Sequence, residues 1–352
     1  MTWVLWRKLF RDVRLTLLAV ALLLGLFQFL WARITERILS KLAPFFNMLA
    51  GFGGLSQQDV ENVLFEGPGR VIRTLIGGDR VVLDSAMDLL SIGYVHPLMQ
   101  ILFCIWAIGR AAGAIAGELD RGTMELLLAQ PLARSRLILA HFLLDLATIP
   151  LLCLSLWAGN WIGAWAISPI RVETPVLKPA TASPEYLVEM GPFRIRVVDP
   201  LRKSGPPRTS EEDDRKMQER LRVEPMQFAP ALILVAGLIF AVCGLTMWLS
   251  AAGRFRWRVL GWAVFLTLLQ FLLNLLGQMW DAAAWVRPLT LFYYYQPQQV
   301  ILGGGWYVTL SEWNGNQPLL NVPMPLVLFA VGLIGYLMAL RTLVHRDIPS
   351  PI

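Results

Sequence analysis

Apolar runs recur six times along the 352 residues, at about 15–31, 89–108, 137–167, 228–252, 259–279 and 324–340, all free of charge except the third, which carries His141 and Asp145 near its start. An α-helix needs about 20 apolar residues to cross the hydrocarbon core of a bilayer, where every backbone polar group must be satisfied within the protein. The pattern therefore predicts an all-α membrane protein with six transmembrane helices. It divides the chain into a 1–14 amphipathic stretch, spans at 15–31, 89–116, 137–167, 228–252, 259–279 and 324–341, and a tail at 342–352. The connections are 32–88, 117–136, 168–227, 253–258 and 280–323. The first run follows Arg7, Lys8, Arg11 and Arg14, but it is too long for a secretory signal and no small-x-small cleavage site follows it, so it is expected to stay as a span.

Composition agrees, with 56% hydrophobic and 16% charged residues. The net charge of +6 is spread beside the apolar runs and forms no single stripe, which argues against nucleic acid as a partner and for the lipid bilayer. Cys104, Cys153 and Cys243 all fall inside apolar runs without Cys-x-x-Cys spacing, which fits packing better than metal or redox work. Short basic segments resist translocation. They are the N-terminal stretch, the 117–136 connection with Arg121, Arg134 and Arg136, the 253–258 turn with Arg254, Arg256 and Arg258, and the end with Arg341 and Arg346. They alternate as six spans require, so both termini are expected in the cytoplasm and the protein in the cytoplasmic (inner) membrane as a multi-pass chain. Arg33, Arg37 and Lys41 run against the bias after the first span.

The three longer connections are then external. In 32–88, apolar residues at helical spacing, broken by "EGPG" and "IGGD", predict short amphipathic helices. In 168–227, Pro-rich stretches and the charge run "RTSEEDDRKMQER" surround "FRIRVV" at 193–198, whose alternation predicts a strand or hairpin arm. In 280–323, Tyr293, Tyr294 and Tyr295 fit an interfacial aromatic belt better than a substrate path. Gln270, Asn274 and Gln278 of the fifth span face a cavity or bridge helices. At the start of the chain, Trp3, Trp6, Phe10, Val13 and Leu17 recur at three and four with Arg7 off that stripe, which predicts a helix lying in the membrane interface.

Signs of catalysis are lacking. No lysine follows a glycine, so the Gly-Lys-Ser/Thr core of a phosphate loop is missing, and neither His-Glu-x-x-His nor Gly-x-Ser-x-Gly occurs. No catalytic or metal-binding residue is expected, and any energy for transport must come from another chain. His141 and Asp145, four apart on the third span, fit a headgroup-level position or a mutual pair better than a proton relay.

The connection "GELDRGTMELLLAQPLARSR" carries six charges between two spans. Arg121 and Gly122 suit a helix ending, Thr123 a helix cap, Glu125 the first turn of a new helix, and Pro131 its stop. A helix of about two turns is too short to be stable alone, so Met124, Leu127 and Leu128 should pack on the spans or on a partner. In order and spacing, Glu118, Gly122, Thr123, Glu125, Leu127, Leu128 and Pro131 resemble the signature of type-2 ABC exporter permeases, the membrane subunits of ATP-binding-cassette transporters. The six spans, the start "MTWVLWRKLFRDVR" and the close of the fourth span "GLTMWLSAAGRFRWR" are also similar to that family. The resemblance implies that this piece is a coupling helix docking on a separate ATPase subunit that binds the ATP and Mg. It also implies a second permease copy or paralogue as partner and a substrate path through the membrane. Two other classes compete: a non-transporting membrane scaffold or assembly subunit, and an ion-coupled carrier, which should show interrupted spans and paired intramembrane charges.

Overall fold

The computed structural model describes residues 2–42, 85–124, 133–168, 170, 177–179, 185–190, 193–198, 221–311 and 318–346. Helix α1 (Thr2–Arg37) ends in a π-helical turn, Ile38–Leu42. Helices α2 (Ala86–Val95) and α3 (Pro97–Ala112) are followed by the five-residue α4 (Ala116–Asp120) and the long α5 (Arg134–Ile167). Helices α6 (Leu232–Ala252) and α7 (Arg256–Met279) come next, then the short α8 (Pro297–Ile301) and finally α9 (Met324–His345). Among the described residues, six helical segments are long and apolar enough to cross a membrane: Trp6–Leu42, Ala86–Ala112, Arg134–Ile167, Pro225–Ala252, Arg256–Met279 and Met324–His345. The expected 1–14 stretch and first span form one unbroken helix.

Span 2 is interrupted, because His96 ends α2 and its Nδ1 accepts from the Leu98 N–H (3.2 Å) while Pro97 occupies the first position of α3, where a missing N–H costs nothing. Span 3 carries Pro150 within its helix. Neighbouring spans gain little from apolar surface in lipid, so small residues and hydrogen bonds bring them together. A Cβ on Gly159 of α5 would fall 2.1 Å from the carbonyl oxygen of Gly25 in α1, and the Ser155 hydroxyl donates to the Ala21 carbonyl at 2.5 Å. Likewise a Cβ on Gly244 of α6 would fall 2.1 Å from the Gly332 carbonyl oxygen in α9. Two helix pairs, α1 with α5 and α6 with α9, therefore touch backbone to backbone.

Of the three longer connections, 43–84 lies outside the described residues, and with it the amphipathic helices expected there. The second contains an antiparallel sheet of β1 (Leu177–Pro179), β2 (Glu185–Met190) and β3 (Phe193–Val198), and the alternating "FRIRVV" is its third strand. The third folds as short 3-10 segments, α8 and a hairpin of β4 (Tyr307–Ser311) and β5 (Pro318–Pro323). Two of the tyrosines expected in an aromatic belt, Tyr294 and Tyr295, are internal struts instead. Tyr295 is buried and its hydroxyl donates to the Tyr94 carbonyl (2.7 Å), while Tyr294 donates to Pro288 (3.0 Å). Burial raises the phenol pKa of both. Gln270 and Asn274 tie α7 to this cap, accepting from the Leu291 N–H (3.2 Å) and the Arg287 Nε (3.4 Å).

Candidate functional site

The connection between spans 2 and 3 begins where α3 stops, at Ala112. Residues 113–115 turn, and the Ser250 hydroxyl near the end of α6 holds them. It donates to the Ala112 carbonyl (3.1 Å) and accepts from the N–H groups of Ile115 (3.1 Å) and Ala116 (3.0 Å). One buried hydroxyl thus satisfies the backbone groups that the broken helix leaves open. Helix α4 follows, capped by Arg121, and Gly122 takes φ +72°, a left-handed conformation that glycine adopts without steric cost.

Glu118 organises this turn. Its carboxylate accepts from Arg121 Nη2 (2.7 Å) and from the Thr123 hydroxyl, which also donates to the Glu118 carbonyl (3.3 Å). Thr123 therefore spends its proton on the preceding turn. The Arg121 side chain is 58% exposed and Glu118's 19%, so this pair presents a cation outward. Met124 is buried in the main core. Glu125, Leu127, Leu128 and Pro131 lie outside the described residues.

Where the connection ends, two arginines clasp three helix ends. Arg134 Nη1, in the first turn of α5, donates to the carbonyls of Leu343 (3.3 Å), Val344 (3.5 Å) and Arg346 (2.6 Å). Arg346 in turn donates from Nη1 to the carbonyls of Ala251 (2.7 Å) and Gly253 (2.8 Å) at the end of α6. These are the open carbonyls and negative dipole ends of α9 and α6, where a cation is favoured. Burial, with the nearby charge of Arg254, lowers the Arg346 pKa. Both ends of the 113–134 segment are thereby bonded to span 4 or span 6.

Deeper, Arg110 of α3 joins spans 2, 3 and 6. It pairs with Asp145 of α5, donates to the Tyr336 hydroxyl of α9 (3.0 Å) and reaches His141 Nδ1 at 3.1 Å, while Tyr336 also donates to Asp145. The Arg110 and Asp145 side chains are 3% and 0% exposed. His141 and Asp145 thus meet through Arg110 and not as the mutual or headgroup-level pair expected. The signal for this was present: a lone arginine just past an apolar run and a lone aspartate inside the next, since intramembrane charges occur paired. Ser250, Arg134 and Arg346 could be found only as polar residues in the first or last turns of apolar spans.

Of the amphipathic start, Trp6 and Phe10 stack at 5.5 Å between ring centroids, and Phe10 packs against the core. Arg7 is exposed, and Trp3 lies within α1.

Residues 6–176, which contain the first three spans and the connection just described, match the model of the family described as ABC-2 family transporter protein. With six helices able to cross a membrane, the match supports an ABC-2 type permease, a multi-pass transport subunit of an ABC transporter, and the family implies partnership with ABC ATPase subunits. No curated protein matches the chain.

Proposed function

We propose that this permease is an exporter subunit driven by separate ATPase chains, which bind the ATP and Mg and push on the 117–136 connection. The basic end of the bundle, with both termini, faces the cytoplasm, in the cytoplasmic membrane. A second copy or a paralogue completes the substrate path. Glu118, Arg121, Gly122, Thr123, Glu125, Leu127, Leu128 and Pro131 form the docking piece. The amphipathic start with Trp3, Trp6, Arg7 and Phe10 continues span 1 out of the membrane at the same face.

The observation that carries this reading is the bonding of both ends of the connection. A push there reaches span 4 through Ser250 and spans 4 and 6 through Arg134 and Arg346. Helices joined by such discrete bonds move as bodies between alternative packings. The paired charges of Arg110 and Asp145 and the broken span 2 are features also expected of an ion-coupled carrier. ATP-dependent transport in vesicles held without an ion gradient separates the two.

Glu125→Lys should weaken ATPase docking by roughly 2 kcal/mol, because a charge-assisted bond is lost and like charges meet. Glu125→Gln should fall between it and wild type. Ser250→Ala should leave docking unchanged but lower transport per ATP hydrolysed. Co-purification of the ATPase, measured beside transport and membrane level, reads all three. Wild-type docking and transport in both Glu125 variants would sink the coupling assignment.

A further inference from the structure

A cleft of about 460 Å³ opens between the first turns of α1, the end of α3, the start of α5 and the start of α7. That volume is in the range of small-molecule sites. One wall is apolar, with Leu9 and Val13 of α1 facing Ile105 of α3, and Ile105 is 56% exposed toward the outside of the bundle. The lining also carries charges from α1, α3, α4 and α7. Two of its cations are already matched, Arg110 by Asp145 and Arg121 by Glu118. That leaves one acid, Asp12, and one base, Arg256, both exposed and lining the same cleft. Among the described residues neither has an ion-pair partner.

A second observation points to an absent acceptor. Trp106 lines the cleft and is buried, and its indole Nε1–H has no hydrogen-bond partner among the described residues. Buried donors are rarely left unmatched. An amphipathic cleft at the basic end of a membrane bundle, offering one free acid, one free base and a spare indole donor, fits an amphiphile carrying both charges.

We propose that this cleft binds one phospholipid whose headgroup carries a phosphate and a primary ammonium, with Arg256 taking the phosphate, Asp12 the ammonium, and an acyl chain leaving along Leu9, Val13 and Ile105. The site rests on the chain spanning a membrane and is independent of ATPase docking at residues 117–136. A bound lipid would set the spacing of α1 and α7, which the cleft separates.

The test uses the full chain in bilayer discs of equimolar phosphatidylethanolamine and phosphatidylglycerol, extracted into mild detergent, with the retained lipid read by native mass spectrometry. Wild type should retain one lipid, enriched about tenfold for the ethanolamine headgroup, the factor expected of one charge-assisted bond. Asp12→Asn should keep a lipid but bring the two headgroups to near parity. Arg256→Gln should lose about tenfold for both, and Arg256→Lys should retain most of the binding. Equal retention of both lipids by wild type, or an unchanged ratio in Asp12→Asn, overturns the proposal. Soluble phosphoethanolamine at millimolar concentration should not displace the lipid, and binding of that compound in place of a lipid would make the ligand a free phosphate ester and overturn the lipid assignment. None of these readouts involves ATP, so failure here leaves the coupling reading standing, and loss of coupling leaves this one.

Discussion

Spans 4 and 5 are neighbours in the chain, joined by three residues, and both are apolar enough to cross a membrane. Helix α6 buries 14 of its 21 residues, whereas α7 buries four of its 24: Val259, Ala263, Asn274 and Gly277. Apolarity cannot account for this, because lipid tails are as good a neighbour to leucine as another helix is. The residues that differ are the small and polar ones. Helix α6 sets Gly237 and Gly244 against α9 and Ser250 against the 112–116 turn. Helix α7 presents Trp257, Trp262, Phe265 and a row of leucines outward, and its polar bonds run to the cap beyond its end. In this protein, helices are inside because something specific holds them, and a greasy helix without such a grip stays at the edge.

The largest effect is therefore expected where the grip is ionic. Asp145→Ala removes the partner of a guanidinium that is 3% exposed, and an unmatched buried charge costs about 3–5 kcal/mol. Thermal unfolding in detergent should show the loss, with a matching drop in membrane level. Replacing both partners, Arg110→Met with Asp145→Leu, should restore most of the stability, because the penalty lies in the orphaned charge. If the double variant were as unstable as the single, the cluster would be holding spans 2, 3 and 6 by more than charge neutralisation.

An intermediate effect is expected at the α6–α9 crossing. Gly244→Ala places a methyl 2.1 Å from the Gly332 carbonyl oxygen, and both sides of that contact are backbone, so the helices must separate. A loss of about 1–3 kcal/mol is expected, typical of overpacking. A wild-type melting temperature for Gly244→Ala would mean that the two backbones do not meet as closely as described.

These two sites also mark what could be read in advance. That six helices cross the membrane was legible, because a charge-free run of about 20 residues has few other uses. That "FRIRVV" forms a strand was legible from its alternation. Adjacency was not: nothing local says that Gly244 meets Gly332 or that Arg110 meets Asp145, since each pair is far apart in sequence and every span shows the same apolar face to lipid. For the same reason His141 was read with its sequence neighbour Asp145, when the arginine of another helix joins them. In the candidate site, the helix ending at Arg121 and the left-handed Gly122 were legible from capping chemistry, which is local. The bonds that tie that turn to span 4, and the 133–136 end to spans 4 and 6, come from Ser250, Arg134 and Arg346, and only the fold supplies their partners.

The smallest effect should come from the edge helix itself. Gly261 of α7 has nothing within 4 Å of the position a Cβ would take, so Gly261→Ala creates no clash within the protomer. A glycine inside a helix is less favourable than alanine by up to about 1 kcal/mol, so the variant should be neutral or slightly stabilised. Its value lies in the comparison with Gly244→Ala, which makes the same chemical change in the neighbouring span. Melting temperatures of both variants, taken in detergent and again in bilayer discs, read whether each glycine is needed for a close approach. Within a single protomer only Gly244 is. If Gly261→Ala is silent in both settings, the outer face of α7 meets lipid at that point. If it destabilises the protein in discs alone, Gly261 is a point of close approach in the assembled transporter, and the row of large side chains around it is covered there by another helix.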